Sequence, residues 1–225
     1  MKIILYGASG MVGQGVLREC LQAPDVAAVL AVGRSRLALQ HPKLRQLVRA
    51  DLFDLREVEA ELGGYDACFF CLGISASDTD EAGFTRLNHD LPLAVARALV
   101  PRHPGMCFVY VSGAGTDSTE QGSVMWARVK GRTENALLKL GFRAVYLFRP
   151  GIILPLHGER SKTRVYRLFY AVLGWALKPL RRFWPGQILD TVRIGQAMLQ
   201  VVRAGPATPL VEAADIHRLA QITQP

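Results

Sequence analysis

Lys2-Ile-Ile-Leu-Tyr6 runs directly into Gly7-Ala-Ser-Gly10-Met-Val-Gly13, after which Val12, Val16, Leu17 and Leu21 recur at helical spacing. An apolar strand, a glycine turn and a helix in that order begin a parallel α/β sheet. Such a turn offers backbone N–H groups and the positive end of the helix dipole to a pyrophosphate, and glycine lets the anion approach the main chain. The residues assigned to this cradle are Gly7, Ser9, Gly10, Met11, Val12 and Gly13. Their spacing is Gly-x-x-Gly-x-x-Gly rather than the tighter Gly-x-Gly-x-x-Gly. The competing reading is an ordinary glycine-rich turn, and the context of strand before and helix after favours dinucleotide binding.

The next apolar run, Val26 to Val32, continues into Gly33-Arg34-Ser35-Arg36. An acidic residue here would bind the ribose diol of NAD. Arginine suits the 2′-phosphate of NADP, because its planar fork pairs with phosphate oxygens in bidentate fashion. NADP(H) is therefore expected over NAD(H), with Arg34 as the first candidate and Arg36 in reserve.

The chain has 225 residues, 50% hydrophobic and 20% charged, a globular balance. Its four cysteines, Cys20, Cys68, Cys71 and Cys107, fall in apolar runs, and no signal peptide precedes the first strand, so a reducing, cytoplasmic setting is expected. Cys68 and Cys71 have zinc-knuckle spacing, but an odd separation on a strand points them to opposite faces, and no second pair completes a site. Buried thiols are expected, and no metal. Strands are predicted near 2–6, 26–32, 46–50, 65–71, 106–112 and 143–149, and helices near 11–22, 54–62, 81–100 and 123–140. That alternation predicts a doubly wound parallel sheet whose ligands bind beyond the carboxyl ends of its strands. The residues placed there include Asp51, Leu52, Cys71, Leu72, Gly73, Ser112, Pro150 and Gly151.

Several of these stretches together carry a family resemblance: Gly7 to Gly13, Val32-Gly-Arg34, Asp66 ahead of Phe69-Phe-Cys-Leu-Gly73, Val111-Ser-Gly-Ala114, Val129-Lys-Gly131 with Glu134, and Phe148-Arg-Pro-Gly151. The chain resembles an atypical short-chain dehydrogenase/reductase of the Tat-interacting-protein-like group, which includes bacterial proteins labelled nucleoside-diphosphate-sugar epimerases. The resemblance implies one Rossmann-like domain over 1–225, with residues 151–225 contributing a small helical lobe on the substrate side. It also implies that Asp51 contacts adenine with Leu52 packed on the ring, and that Cys71, Leu72, Gly73, Pro150 and Gly151 border the cofactor.

In that superfamily a serine after the fifth strand and a Tyr-x-x-x-Lys on the next helix carry the chemistry. Ser112 and Lys130 match, but the tyrosine position holds Trp126. A phenol beside an ammonium exchanges a proton with a carbonyl or hydroxyl; an indole N–H only donates and does not titrate. Lys130 is still expected to anchor the nicotinamide ribose, Ser112 to orient an oxygen, and Trp126 and Asn88 to border the substrate pocket. A helix N-cap is the competing role for Asp51, Asp54 being the stronger cap. Tyr110, Thr116, Asp117, His157 and Tyr166 are weaker substitutes for the phenol.

Arg160 to Arg182 holds seven basic residues and no acid around the apolar run Leu168 to Leu177, and accounts for most of the +8 net charge. The run is about half of the roughly 20 residues a bilayer span needs. A helix packed over the domain is the first reading, with peripheral membrane contact or ligand and partner binding as alternatives. Nucleic acid is disfavoured, since no recognition motif accompanies the charge. Two functions remain: an NADP(H)-dependent oxidoreductase or epimerase on a small carbonyl or sugar-nucleotide-like substrate, or a non-catalytic nucleotide-binding regulator of a partner or membrane contact. A homodimer through helices 81–100 and 123–140 is a further expectation, by analogy alone.

Overall fold

The computed structural model describes residues 1–157, 187–205 and 208–222. Five parallel pairings of long strands make its centre: β1 (Lys2–Tyr6), β2 (Ala28–Gly33), β3 (Leu44–Val48), β4 (Ala67–Phe70), β5 (Cys107–Val111) and β6 (Ala144–Arg149). With β9 (Leu210–Glu212) they form a seven-stranded sheet ordered β3-β2-β1-β4-β5-β6-β9, parallel throughout. The order reverses direction between β2 on one side of β1 and β4 on the other. That switch point leaves a crevice above the carboxyl end of β1, where Gly7 lies. A separate parallel pair joins β7 (Ile152–Leu154) to β8 (Ile188–Asp190).

Strand alternation divides the core in two. Ile3, Leu5, Phe69, Val109 and Phe148 face one cluster, built with Val16 and Leu17 of α1 (Met11–Gln22) and Ile194 and Met198 of the later helix Thr191–Arg203. Ile4, Tyr6, Cys68, Phe70, Phe108, Tyr110 and Leu147 face the other, built with Leu91, Val95 and Leu137. Each such side chain, fully removed from water, stabilises the fold by roughly 1.5–3 kcal/mol. Cys68 belongs to the second cluster and Cys71 packs against the first, and all four thiols are free.

Two predicted helices change form. Residues 54–62 make a 3-10 segment, Arg56–Leu62, because Gly63 and the left-handed Gly64 (φ 75°) stop the chain before a full α-helix can establish itself. The stretch 81–100 divides into α2 (Glu81–Thr85), a π-helical turn (Arg86–Asp90) and α3 (Leu91–Leu99). Pro92 explains the break. It has no N–H to give the Asn88 carbonyl four residues back, and its ring would collide with that oxygen, so the backbone widens and the Leu91 N–H bonds Arg86 instead. The helix predicted at 123–140 is α4 (Met125–Leu138).

In the carboxy-terminal part, α5 (Thr191–Arg203) starts at Asp190, whose side chain accepts the Arg193 N–H, and packs on α1. The approach requires small residues: a Cβ on Gly15 would lie 2.5 Å from Thr191, and one on Gly195 would lie 2.7 Å from Glu19. α6 (Ala213–Ala220) follows β9 through a reciprocal cap between Glu212 and Asp215. The basic stretch Arg160 to Arg182 lies outside the described residues.

Candidate functional site

At the carboxyl end of β1 the chain is folded back on itself so closely that only glycine fits. Gly7 has φ 83°, and a Cβ there would lie 2.6 Å from the Cys71 carbonyl carbon; a Cβ on Gly13 would lie 2.1 Å from the Gly7 carbonyl oxygen. The Gly10 N–H donates to that same oxygen at 2.9 Å, closing the turn. The first turn of α1 has no side-chain cap and no acidic residue. Its N–H groups and dipole are therefore directed at whatever anion enters, the condition for a phosphate cradle.

Beyond this turn lies a cavity of about 490 Å³, the size of a small-molecule site. Of the residues singled out in the sequence it brings together Gly7, Ser9, Gly10, Arg34, Asp51, Leu52, Cys71, Leu72 and Gly73. Met11, Val12 and Gly13 form the adjoining helix turn rather than the cavity wall. Arg34 is exposed at the end of β2, with no hydrogen bond or ion pair to any of the described residues, while Arg36 is exposed and does not line the cavity. Asp51 accepts the Phe53 N–H at 2.8 Å, and Asp54 accepts the Arg56 N–H at 3.1 Å, so each shapes its own turn ahead of the 3-10 segment.

Wall residues that the sequence reading missed include Gln46, Phe53 and Arg86. Gln46 on β3 accepts the Leu37 N–H at 2.7 Å and donates to Leu37 and Leu39 carbonyls at 3.3 and 3.1 Å. Its amide thus holds the loop after Arg34 against the sheet. No local pattern marks this residue. Phe53 was within reach, as the residue following Asp51-Leu52, and Pro92 was a visible sign that the helix carrying Arg86 would bend.

The second group of candidates gathers beyond β4, β5 and β6, where most polar hydrogens already have takers. The Ser112 hydroxyl donates to the Phe148 carbonyl at 3.1 Å, the same oxygen that accepts the Ser112 N–H. Lys130 Nζ donates to the Ser112 and Val111 carbonyls at 2.7 and 3.3 Å and lies 5.7 Å from the Tyr110 ring centroid. Burial pushes its pKa down to about 8, with Glu134 pulling it partly back.

Asn88 sits in the π-turn, 1% exposed. Its carbonyl, freed by Pro92, accepts the Tyr110 and Thr133 hydroxyls, each at 2.9 Å. Its side-chain Nδ2 donates to Phe84 and Ile74, and Oδ1 lies where a Cβ on Gly73 would come within 2.7 Å. Trp126 lies over the loop after β5: a Cβ on Gly115 would meet its ring at 3.6 Å.

Three of the substitutes for the missing phenol are committed elsewhere. The Tyr110 hydroxyl is bonded to Asn88, and burial raises its pKa. Thr116 donates to the Gly113 carbonyl at 2.7 Å. Asp117 accepts the Thr119 hydroxyl and N–H and the Gly122 N–H, which hold its carboxyl below the usual range. His157 lies just past β7, and Tyr166 lies outside the described residues. Ala114 donates to the Pro150 carbonyl, and the missing Cβ of Gly151 makes room for the Gln187 carbonyl. Beneath this group, buried Glu134 and Arg149 form a two-pronged ion pair that ties α4 to β6.

The fold and its cradle match known proteins. Residues 7–139 match the family described as NAD(P)H-binding. The chain is 29% identical to Protein HTATIP2 of Rattus norvegicus over 207 residues, covering 88% of this chain and 79% of the relative. It is 30% identical to Protein fmp52, mitochondrial, of Aspergillus clavatus over 173 residues, covering 72% and 69%. Among solved structures, DesIV (dTDP-glucose 4,6-dehydratase) from Streptomyces venezuelae superposes with a TM-score of 0.70 at 18% identity, covering 95% of this chain and 75% of that one. The cytoplasmic setting expected from the cysteines is overturned, because several fungal relatives are named mitochondrial. Buried, reduced thiols are compatible with more than one reducing compartment, so they could not have located the protein. The match spans the glycine turn and the sheet from β1 through α4, and the chain belongs to the NAD(P)H-binding family of Rossmann proteins, alongside HTATIP2 and FMP52 in the atypical short-chain dehydrogenase/reductase group.

Proposed function

We propose that this protein binds NADP(H) in preference to NAD(H) and acts as an oxidoreductase or epimerase on a small carbonyl or sugar-nucleotide-like substrate. The observation that carries the cofactor reading is Arg34, a guanidinium without a partner among the described residues, at the cavity wall where β2 ends. There it would take the 2′-phosphate, with Ser9 to Gly13 on the pyrophosphate and Asp51, Leu52 and Leu72 around the adenine.

When bound, the dinucleotide supplies or accepts a hydride. The chain's own part is to hold the substrate oxygen and move a proton. Lys130 has three N–H groups and gives two of them to Val111 and Ser112. The third, on an ammonium whose pKa is about 8, is available to a developing alkoxide at neutral pH. Ser112 Oγ retains lone pairs and can orient a substrate hydroxyl as acceptor.

A second reading is favoured by Trp126 and by the commitment of the Ser112, Tyr110 and Thr133 hydroxyls to main-chain carbonyls. In it nucleotide occupancy governs contact with a partner or membrane, with little turnover.

Calorimetric titration with NADPH and NADH tests the cofactor assignment. The expected result is tighter binding of NADPH, with Arg34→Ala weakening NADPH by about tenfold or more and leaving NADH nearly unchanged. Equal loss for both nucleotides would reject the 2′-phosphate role, and no binding of either would reject the function.

A further inference from the structure

Trp126 and Lys130 stand one turn apart on α4, so both face the end of β5, where Lys130 Nζ reaches the Val111 and Ser112 carbonyls. The tip of the indole rests on the loop that follows: a Cβ on Gly113 would lie 4.0 Å from it and one on Gly115 would lie 3.6 Å from it. Gly115 has φ 85°, a conformation that favours glycine and lets the main chain run under the ring. Between the two glycines, Ala114 donates to the Pro150 carbonyl, so the indole covers the place where the ends of β5 and β6 meet. Val124 and Ile152, which flank that place along the chain, are exposed apolar side chains. The indole N–H has no hydrogen bond to any of the described residues.

This end therefore offers a flat apolar wall and one donor that does not give up its proton. The other donors are turned away: Ser112 to Phe148, Tyr110 to Asn88, and two of the three Lys130 N–H groups to main-chain carbonyls. Reduction of an isolated ketone leaves an alkoxide whose conjugate acid is about as weak as water, roughly 16, and it needs an acid at the oxygen as the hydride arrives. Reduction of a carbonyl conjugated through a ring to a second carbonyl leaves a phenolate, whose conjugate acid is near that of tyrosine, about 10. Such an anion persists in water and needs only a hydrogen bond. We propose that the substrate of this site is a quinone, with its ring against Trp126 and one oxygen within reach of the indole N–H. The proposal rests on the oxidoreductase reading above and narrows its substrate class. The quinone takes up one hydrogen nucleus and two electrons as the C–H bond of the reduced nicotinamide breaks. Both carbonyl double bonds become single bonds, the ring becomes aromatic, and the one further proton that completes the hydroquinone comes from water. The electron-rich indole suits an electron-poor ring, whereas the diphosphate of a sugar nucleotide has nothing to gain from Trp126, Val124 or Ile152.

Two probes of matched ring size test the assignment: menadione, a quinone, and tetralone, which carries a single ketone. With NADPH, and with the reaction in the absence of protein subtracted, kcat/KM for menadione should exceed that for tetralone by about 100-fold or more. Binding is read separately, by calorimetric titration of menadione in the presence and in the absence of NADP, where no reductant is present and nothing turns over. Trp126→Leu should weaken menadione about tenfold. Trp126→Phe keeps a ring without the N–H, so most of that affinity should return while turnover stays low. NADPH affinity within about twofold of wild type in both variants establishes that they are folded.

Tetralone reduced as well as menadione would overturn the proposal. So would menadione affinity unchanged in Trp126→Leu, which would make the indole a packing group for the Gly113–Gly115 loop, or no recovery of affinity in Trp126→Phe. If the unaltered protein binds NADPH but neither binds nor reduces menadione, the quinone assignment falls and the cofactor reading stands. If menadione binds with the expected Trp126 dependence but no dinucleotide binds, the ring site stands and the oxidoreductase reading falls. If neither probe nor dinucleotide binds, both fall.

Discussion

At one end of the cleft the glycine turn of α1 is uncapped and Arg34 is unpaired among the described residues, while at the other end Ser112, Lys130, Tyr110 and Thr133 all donate to main-chain carbonyls. Both ends lie at the carboxyl edges of the same sheet and both are rich in polar groups. What separates them is whether those groups have partners. Donors without a protein partner are available to a ligand at once; donors bonded internally stabilise the backbone and must rearrange before they can serve a substrate.

If that contrast is right, damage at the two ends should be read out in different quantities. The largest effect is expected from Glu134→Ala, which leaves the buried Arg149 guanidinium without its two-pronged partner. A stability loss of about 3 kcal/mol is expected in urea unfolding, with NADPH affinity of the folded protein nearly unchanged. A large affinity loss at constant stability would mean the two ends are coupled. Gly13→Ala should do the reverse: its Cβ would lie 2.1 Å from the Gly7 oxygen, so the cradle must open, and dinucleotide affinity should fall about 100-fold. Gly10→Ala, with 3.4 Å to the same oxygen, should lose far less, and equal losses would show that the cradle geometry is not what binds.

Trp126→Tyr tests whether the end that holds Ser112 and Lys130 is silent or short of an acid. NADPH oxidation with a panel of small carbonyls should rise by about 10²-fold if a phenol there completes the site. Ser112→Ala should abolish whatever turnover the natural protein shows; no change in either variant would remove this end from any mechanism.

The effect confined to alkaline pH concerns Lys130. Its folded-state pKa of about 8 lies below the ordinary 10.5, so between those values the unfolded chain binds more protons than the folded one. The contribution of Lys130 to stability should therefore rise with pH from about 8 to 10.5. The difference in unfolding free energy between wild type and Lys130→Met should show that slope, and a flat difference would mean the ammonium is not desolvated.

Much of the first end was legible along the chain. The strand, glycine turn and helix from Lys2 to Gln22 need only neighbours in sequence to be recognised, and Arg34 is marked by its place at the end of the next apolar run. The end that holds Ser112 and Lys130 was legible as residue types only. Ser112, Lys130 and Trp126 match or depart from a motif, but nothing in the motif reveals that the serine hydroxyl is turned to Phe148, 36 residues away. The break at Asn88 was signalled by Pro92, yet periodicity over 81–100 masked it, because the apolar spacing continues on both sides of the inserted residue.

The sequence by itself determined the parallel alternating architecture, the glycine turn after β1 and the arginine after β2, because each follows from periodicity, from backbone conformations that neighbouring residues impose, or from the residue's place in the chain. Only the tertiary structure decided which polar groups remain available. That Gln46 is spent on the Leu37–39 loop, that the Arg86 guanidinium lies over the Phe53 ring, and that Tyr110 answers the Asn88 carbonyl are all outcomes of how strands and helices are stacked. A donor is free or committed according to what lies within about 3 Å of it, and that distance is set across the sheet rather than along the chain.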